Sequence, residues 1–372
     1  MKKINVLIWI ACSWAMYPLI VYLSSRRSIE KTDRKRILIM PQLTRIGDIV
    51  CSTPVFYNIK KSYPDSYISV LVSKKAIDII KNNIRIDNII IIEDYTTWGL
   101  IKKIQSERIE WSINLTATSV NTYLTFLGLI PNRIKTVVEK PPITEKITDS
   151  LSNYRLMYKN HTYLPRHHLK LLKFMGIDDT VDKKEVFLSN SGNEKVLLLK
   201  KGLPLNHKII GLSITAGNKI KELGDHKFKI IADELLKIDD VVIFCLGSKN
   251  DKNRIDNFTK GVSNSGRCFA VTDFNLEELP SLMKCFSLYI AVDTGPIYIA
   301  HALGIPLIDI IGPVDPREQP PNDANSIQIL PKGGIEPSSF VFKERGSLED
   351  IKSAIDSINI ADIISEAKKF LD

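Results

Sequence analysis

The chain alternates short aliphatic runs with segments in which apolar residues recur every three or four positions. ILIM, YISVLVS and NIIIIED each precede a segment of the second kind. Short runs that are apolar on both faces are typical of buried parallel strands, whereas the spaced pattern is typical of helices. The alternation therefore predicts an α/β fold in which helices cover both faces of parallel sheets.

The alternation forms two series. The first begins at Ile37, and the second runs from HKIIGLSI (207–214) to LIDIIG (307–312). A polar segment, 176–194, lies between them, and the basic segment 153–176 is interpreted as a solvated helix. The predicted divisions are residues 1–25 as a membrane anchor, 26–35 as a charged linker, 36–185 as an N-terminal domain, 186–345 as a C-terminal domain and 346–372 as a helical segment.

The N-terminus differs in composition from the rest. Ile4 to Leu23 carries no charge over about 20 residues, enough for a helix to cross a hydrocarbon core of about 30 Å. No small-residue cleavage site follows, which favours a retained anchor over a cleaved signal peptide. Basic residues are more frequent after the segment than before it, which predicts an inner-membrane protein, single-pass or monotopic, with cytoplasmic catalytic domains.

Bulk composition narrows the function only slightly. The 372 residues are 44% hydrophobic and 25% charged, an ordinary globular composition with room for two cores. The net charge of +9 is compatible with a phosphate-bearing ligand, with an anionic membrane surface, or with a surface charge that only keeps the protein soluble. It does not distinguish among them. No nucleic-acid module is recognisable, and neither cysteines nor histidines show zinc-site spacing, so nucleic-acid binding and a protein-bound zinc are not expected.

In open α/β sheets, ligands bind beyond the carboxyl ends of the strands. The first such loop with notable residues is PQLTRIGD (41–48), where Gly47 gives the backbone room and Asp48 comes close to a helix start. A carboxylate at that place is a good helix cap, which is the simpler role for Asp48 from the residues alone.

Two further loops are ambiguous. SITAGNKIKELGDHKF contains small residues beside a basic one, Lys221, a combination that suits an anion but also a solvated loop. Its small residues are Thr215, Ala216 and Gly217. LGSKNDKN places Gly247 at a strand end and Asp251 about one turn later, which helix capping explains adequately.

The loop in AVDTGPIYIAHALG is the most specific. Asp293 ends an aliphatic run, and Thr294, Gly295 and Pro296 begin a helix. The first N–H groups of a helix have no partner within it, and proline loses nothing there because its nitrogen has no hydrogen. Free N–H dipoles at a helix start attract phosphate, so the segment predicts a diphosphate site.

Together the four loops resemble glycosyltransferase family 9, the bacterial lipopolysaccharide heptosyltransferases. The likeness rests on ILIxxxxxIGDxxxxTPVxxxIKxxYP, AGNKxKE, LGxxxD and DTGPxxxAxALGxPxxxxxGPxDP, which cover roughly residues 36–320. It implies the GT-B fold, with two doubly wound Rossmann-like domains facing a cleft. It also implies inverting transfer of a sugar, possibly heptose, from a nucleotide-sugar, typically ADP-activated, to a lipopolysaccharide or surface-polysaccharide acceptor.

The resemblance also assigns residues. Asp48 matches the family's catalytic base, Lys221 its phosphate-contacting lysine, Thr294 and Gly295 its diphosphate contacts, and Asp251 a nucleoside contact. The further donor-binding candidates are Thr215, Ala216, Gly217, Gly247, Asp293, Pro296 and Tyr298. The acceptor-binding candidates are Arg45, Arg155 and Arg166.

No cofactor or metal is expected. A cation and aligned amide dipoles stabilise a departing nucleoside diphosphate, and the chain has no D-x-D pair, the usual metal-binding device of another glycosyltransferase fold. The expected partners are a nucleotide-sugar donor, a lipid-linked glycan acceptor and the membrane.

The chain departs from the family pattern at two places. Tyr298 stands where the family usually has a histidine, and Leu223 with Gly224 replaces a common tryptophan. His301, one turn further, is expected to be a core residue. Two alternatives therefore stay open: a non-catalytic homologue that binds a nucleotide-sugar or glycan, and another GT-B enzyme such as a nucleotide-sugar epimerase.

Overall fold

The computed structural model describes residues 3–29, 34–203, 207–342 and 346–371. The chain forms two compact units, Met1–Lys184 and Glu185–Asp372, named domain 1 and domain 2 below. Their division falls inside the polar segment 176–194.

Domain 1 combines six strands with helices before, between and after them. The strands are β1 Arg36–Met40, β2 Tyr67–Val72, β3 Asn88–Ile91, β4 Trp111–Asn114, β5 Asn132–Val138 and β6 Tyr154–Tyr158. The helices are α1 Lys3–Ala15, α2 Tyr17–Ile29, α3 Ile46–Ser62, α4 Ile77–Ile80, α5 Thr97–Ser106, α6 Ser119–Leu127, α7 Ile143–Thr148 and α8 Leu164–Leu171.

Domain 2 repeats this arrangement. The strands are β7 Lys208–Ser213, β8 Val241–Leu246, β9 Cys268–Val271, β10 Leu288–Val292, β11 Leu307–Ile310 and β12 Ser326–Ile329. The helices are α9 Asn190–Lys200, α10 Asp225–Leu235, α11 Lys252–Gly261, α12 Leu279–Met283, α13 Gly295–Ala302, α14 Leu348–Asp356 and α15 Ile360–Leu371.

Each domain contains one parallel sheet of six strands, in the orders β3-β2-β1-β4-β5-β6 and β12-β11-β10-β7-β8-β9. The prediction of two doubly wound α/β domains is confirmed. The direction of winding reverses between β1 and β4 and between β7 and β10. The loops that follow these pairs therefore lie side by side at the carboxyl edge, where such sheets bind ligands.

Helix periodicity accounts for the packing of domain 2. Phe228, Ile231 and Leu235 of α10 recur at helical spacing, and all three are fully buried in the core with β7 and β8. Burying each such side chain contributes about 1.5–3 kcal/mol. The C-terminal helix α15 packs against α10 and buries Ile363 and Leu371 in the same core.

Three strands were missed by the sequence analysis. The segment 153–176, interpreted as a solvated helix, contains strand β6 before helix α8. Strands β6 and β12 are edge strands with several positions that are only partly buried or exposed, so their runs are not aliphatic on both faces. Strand β5 is internal but contains Lys135, which is fully buried and donates a hydrogen bond to Asp149 at 2.6 Å.

The predicted linkers and one predicted helix also differ from the structure. Helix α9 begins at Asn190, inside the polar segment, because the Ser189 side chain accepts a hydrogen bond from the Gly192 N–H and caps it. Helix α2 continues to Ile29, so the first part of the predicted linker 26–35 is helical. Residues 30–33 lie outside the described residues. The helical segment predicted after YISVLVS, KKAIDIIKNN, forms a helix over only the four residues of α4.

The predicted N-terminal helix is two helices rather than one. Helices α1 and α2 meet at a bend of 74°, and within the described residues no single helix is long and apolar enough to cross a membrane, although the bent pair passes that test jointly. Pro18 is the second residue of α2 and has no N–H to donate to the preceding turn, which explains the break.

Candidate active-site residues

In domain 1, Asp48 lies in the first turn of α3, immediately after the loop that leaves β1. Arg45 is the residue that precedes the helix, and Asp48 is its third helical residue. The capping role that the residues alone favoured for Asp48 is therefore wrong. Its carboxylate still lies near the positive end of the helix dipole, where a negative charge is stabilised.

Asp48 is largely enclosed but has a cation beside it. It is 8% exposed, and its Oδ2 lies 3.9 Å from Nη1 of Arg45, whose side chain is 54% exposed. An enclosed carboxylate at the carboxyl edge of the sheet can accept a proton from a hydroxyl group that is brought within hydrogen-bonding distance. The geometry of domain 1 is thus compatible with a general base at Asp48.

A polar network beside this loop was missed by the sequence analysis. Asn114 ends β4, the neighbour of β1, and its Oδ1 accepts hydrogen bonds from Asn121 Nδ2 and Thr116 Oγ1, each at 3.0 Å. Asn114 Nδ2 and Asn121 Oδ1 are buried and have no hydrogen-bond partner among the described residues. The polar run NLTATS directly after an aliphatic strand was the available signal.

In domain 2, the fold brings together two charged residues that are distant in sequence. Lys221 ends a short turn in the loop after β7, and Asp293 follows β10, the adjacent strand. Lys221 Nζ lies 3.2 Å from Asp293 Oδ2, and the side chains are only 14% and 11% exposed. The pair places a sheltered cation at the start of α13.

Tyr298 holds the other oxygen of Asp293. It is 3% exposed, and its hydroxyl donates a hydrogen bond to Asp293 Oδ1 at 2.7 Å. Tyr298, which replaces the histidine usual in the family, thus fixes the orientation of the Asp293 carboxylate. Lys221 faces the same carboxylate. His301, one turn further, was expected to be a core residue but is only partly buried, with 20% of its side chain exposed, and its Nε2 lies 2.9 Å from Asp323 Oδ2.

The start of α13 has the geometry expected for an anion site. Thr294 precedes the helix with extended backbone, and its side chain makes no capping hydrogen bond; Gly295 is the first helical residue and Pro296 the second. All three are partly exposed. Pro296 has no N–H and the Ile297 N–H donates to the Thr294 carbonyl at 3.1 Å, so the Gly295 N–H and the positive end of the helix dipole are what this turn can present to a phosphate.

The loop after β7 is partly engaged by its own side chains. The Ala216 N–H donates a hydrogen bond to Glu222 Oε1 at 3.1 Å, and Glu222 Oε2 accepts one from Arg254 at 2.7 Å. Thr215 is partly buried and Gly217 is exposed, with open space where a Cβ would stand. An anion that used the Ala216 N–H would have to displace Glu222.

Gly247 and Asp251 have clear structural roles. Asp251 Oδ2 accepts hydrogen bonds from Ser248, from its N–H at 3.1 Å and from its hydroxyl at 2.6 Å, at the turn that begins α11. A Cβ on Gly247 would lie 2.1 Å from Ile255 Cδ1, so glycine allows α11 to pack closely. Contact of either residue with a nucleoside stays a prediction.

All three acceptor candidates are exposed, and Arg45 has been described above. Arg155 lies on the edge strand β6, and Arg166 on α8 has a side chain that is 75% exposed, with Nε 4.0 Å from Asp182 Oδ2. Their role in acceptor binding stays a prediction.

Asp309 is a buried acid next to the Lys221–Asp293 pair. It lies on β11 beside β10, has no exposed surface, and neither carboxyl oxygen has a hydrogen-bond partner among the described residues. Burial, and then the negative charge of Asp293, raise the pKa of Asp309 well above its ordinary value. A neutral Asp309 adds no second negative charge to the proposed diphosphate site.

Replacing Asp309 with asparagine is expected to stabilise the protein more at pH 8 than at pH 5. The unfolded chain loses this proton near pH 4, whereas the folded protein keeps it, so wild-type stability falls with rising pH by up to about 1.4 kcal/mol per unit. Thermal unfolding at both pH values measures the difference, with Asp239→Asn, an exposed carboxyl of the same domain, as control. A difference that does not change with pH would contradict the neutral carboxyl.

Comparison with known proteins identifies a family and relatives that this chain resembles. Residues 156–339 match the family model described as glycosyltransferase family 9 (heptosyltransferase), a range that contains Lys221 and Asp293. Lipopolysaccharide heptosyltransferase 3 of Escherichia coli strain K12 is 24% identical over 335 residues, which are 87% of this chain and 95% of that protein.

Solved structures show the same fold. A family 9 glycosyl transferase from Veillonella parvula superimposes with a TM-score of 0.74 at 18% identity, covering 92% of this chain and 98% of the other. The E. coli ADP-heptose lps heptosyltransferase II superimposes with a TM-score of 0.71 at 15% identity, covering 91% and 98%.

Proposed function

Because the chain is a heptosyltransferase-like glycosyltransferase of family 9, we propose that it transfers heptose from an ADP-activated donor to a growing lipopolysaccharide. The transfer inverts the anomeric carbon in one displacement. The donor binds to domain 2 and the acceptor to domain 1. The choice of an ADP-activated donor is supported by the likeness to the E. coli protein described as an ADP-heptose lps heptosyltransferase.

The observation that carries the proposal is the sheltered cation at the start of α13. Lys221 and the first turn of α13 follow adjacent strands, and the lysine already lies 3.2 Å from Asp293. A nucleoside diphosphate gains negative charge as it leaves the sugar, and a fixed cation with aligned N–H dipoles stabilises that charge. These groups favour the departure of ADP more than they favour the bound donor.

Asp293 limits which groups the Lys221 ammonium can contact. A diphosphate near an unneutralised carboxylate would be repelled, so Lys221 has to contact both groups or exchange one for the other. The hydrogen bond from Tyr298 keeps Asp293 oriented and compensates part of its charge while Lys221 contacts phosphate. Tyr298 is therefore a positioning residue for the donor site.

Asp48 acts as the general base in this proposal. It removes the proton from the acceptor hydroxyl as the oxygen attacks the anomeric carbon. Arg45 supplies a positive charge beside the carboxylate.

The proposal includes metal independence and a membrane location. Lys221 and the α13 N–H groups supply the charge stabilisation that a metal provides in other transferases. The acceptor is a lipid-linked glycan at the cytoplasmic side of the inner membrane. Activity that persists after dialysis against EDTA would support the first point, and activity restored only by a divalent cation would refute it.

A donor comparison by isothermal titration calorimetry tests the proposal. ADP-heptose and ADP are expected to bind at least tenfold more tightly than GDP-mannose or UDP-glucose, and incubation with a lipopolysaccharide core lacking its outer heptose should add the mass of one heptosyl residue. Tight binding without any product would contradict transfer, and equal binding of all four nucleotides would contradict the donor assignment.

A further inference from the structure

The N-terminal helix pair has the reverse of the polarity expected of a helix at a water-exposed surface. Within 16 residues, from Leu7 to Tyr22, eight large apolar side chains are exposed, and we call this set the apolar face. Its members are Leu7 (59% exposed), Ile8 (53%), Trp14 (42%), Met16 (39%), Tyr17 (38%), Leu19 (51%), Val21 (40%) and Tyr22 (53%). Contiguous exposed apolar patches of this kind mark sites of association with a partner or a membrane.

The inward positions of the same helices include polar residues. Ser13 is fully buried and Ser24 is 5% exposed, beside the buried Ile10 and Ile20. Each serine satisfies its hydroxyl locally, Ser13 by donating to the Trp9 carbonyl at 2.8 Å and Ser24 by donating to the Val21 carbonyl at 3.1 Å. Ser13 and Ser24 thus face the protein while Leu7 and Leu19 face outward, an arrangement that suits an apolar environment outside; Ser25, at the basic end of α2, is exposed.

The pair is held firmly on domain 1. Ile10 and Ile20 belong to the core cluster that includes Leu38 of β1 and Tyr123 of α6. Trp9 stacks between Trp98 and Tyr123 at centroid distances of 6.2 and 6.4 Å. Side chains that a membrane-crossing helix would place among lipids are thus packed against the domain.

The apolar face continues onto the domain itself and has basic residues beside it. Trp98 of α5 is 50% exposed, and Ile143 and Ile147 of α7, a helix that contacts α1, are 68% and 42% exposed. Lys102 lies over the ring of Trp98 and Arg26 over that of Tyr22, at 5.4 and 4.9 Å. Aromatic rings flanked by Lys and Arg are typical of side chains at the lipid headgroup level.

We propose that the apolar face is a docking surface for an anionic bilayer, and that the helix pair lies in the plane of the membrane instead of crossing it. Each helix has 13 residues, about 20 Å in length, which is short of the ~30 Å hydrocarbon core, and the 74° bend prevents a straight crossing. Basic residues at the rim favour lipid headgroups over a second copy of this chain, which would present the same positive charges. The proposal does not depend on which sugar is transferred.

Vesicle flotation of the full-length protein tests the proposal. The double variant Ile8→Glu/Leu19→Glu is expected to partition at least ~10-fold less onto phosphatidylethanolamine vesicles containing phosphatidylglycerol than the wild type. The matched control is Leu197→Glu/Leu198→Glu on α9 of domain 2, two leucines that are 66% and 64% exposed, and it should float like the wild type. Circular dichroism verifies that both variants are folded.

Depth and association provide the deciding readouts. The chain has four tryptophans, so depth is measured in a variant in which Trp9, Trp98 and Trp111 are replaced by phenylalanine and Trp14 alone fluoresces. The Trp14 fluorescence is expected to be quenched more by lipids brominated near the headgroup than by lipids brominated near the chain ends. Stronger quenching by the deep label would mean that the pair crosses the bilayer and would overturn the proposal. The proposal would also be overturned if the wild-type protein did not bind the vesicles. The same holds if the wild-type protein were a dimer without lipid and the Ile8→Glu/Leu19→Glu variant were a monomer.

Discussion

Asp48→Asn is expected to lower kcat by roughly 100- to 10,000-fold, the range in which a positioned general base contributes. The amide keeps the shape of the carboxylate but cannot take a proton at neutral pH. The acceptor hydroxyl would then have to attack without losing its proton to the enzyme. Steady-state transfer of radiolabelled heptose measures the effect, and calorimetry with ADP should give the wild-type affinity because the change lies in domain 1.

A structural role of Asp48 predicts a different result. The first-turn charge contributes only about 0.3–1 kcal/mol to helix stability, so thermal unfolding should change little. Asp78→Asn, which also removes a first-turn carboxylate of domain 1, is the matched control and should retain full activity. An Asp48→Asn enzyme with near-normal kcat would exclude the base.

Lys221→Met is expected to lower kcat/KM by roughly 100-fold, with most of the loss in kcat. A hydrogen bond to a charged group contributes about 1.5–3 kcal/mol, and methionine keeps the length of the side chain without its charge. The variant also leaves Asp293, which is 11% exposed, without the cation 3.2 Å away. That carboxylate would repel the departing diphosphate, which adds to the loss.

Two variants calibrate this result. Lys219→Met removes an exposed lysine from the same loop and should change kcat/KM less than threefold. Tyr298→Phe removes only the 2.7 Å hydrogen bond to Asp293 and should cost about 1 kcal/mol, roughly fivefold. A Lys221→Met enzyme that resembles the Lys219→Met control would show that the lysine does not face phosphate during the reaction.

The central strands could be predicted because their environment is uniform. Strand β8 is buried at all six positions, and its run of residues is apolar throughout. Edge strands have one uncovered side, and β5 tolerates Lys135 only because Asp149 accepts its hydrogen bond, a contact that no local pattern reveals. The bend between α1 and α2 was detectable in principle from Pro18, but continuous hydrophobicity dominated the interpretation.

Some residues of the candidate site could likewise be predicted from the sequence and others could not. The Asp-Thr-Gly-Pro segment has a local signature, because a helix start after a buried strand needs particular residues at consecutive positions. No local sequence signature reveals the pairing of Asp293 with its two partners. Lys221 is 72 residues away, and Tyr298 differs from the expected histidine. The Asn114 network was missed for a related reason, as asparagine and threonine after a strand are equally common in ordinary loops.

The sequence by itself determined the fold class, the two-domain organisation, the family resemblance and the positions of the candidate loops, because each depends on periodicity or on consecutive residues. Only the tertiary structure decided that Lys221 faces Asp293 and that Tyr298 orients that carboxylate. It also decided that Ser13 and Ser24 of the N-terminal helices face inward while Leu7 and Leu19 face outward. Those facts depend on strand order and on which side of a helix meets the protein, and both are set by packing between segments that are distant along the chain.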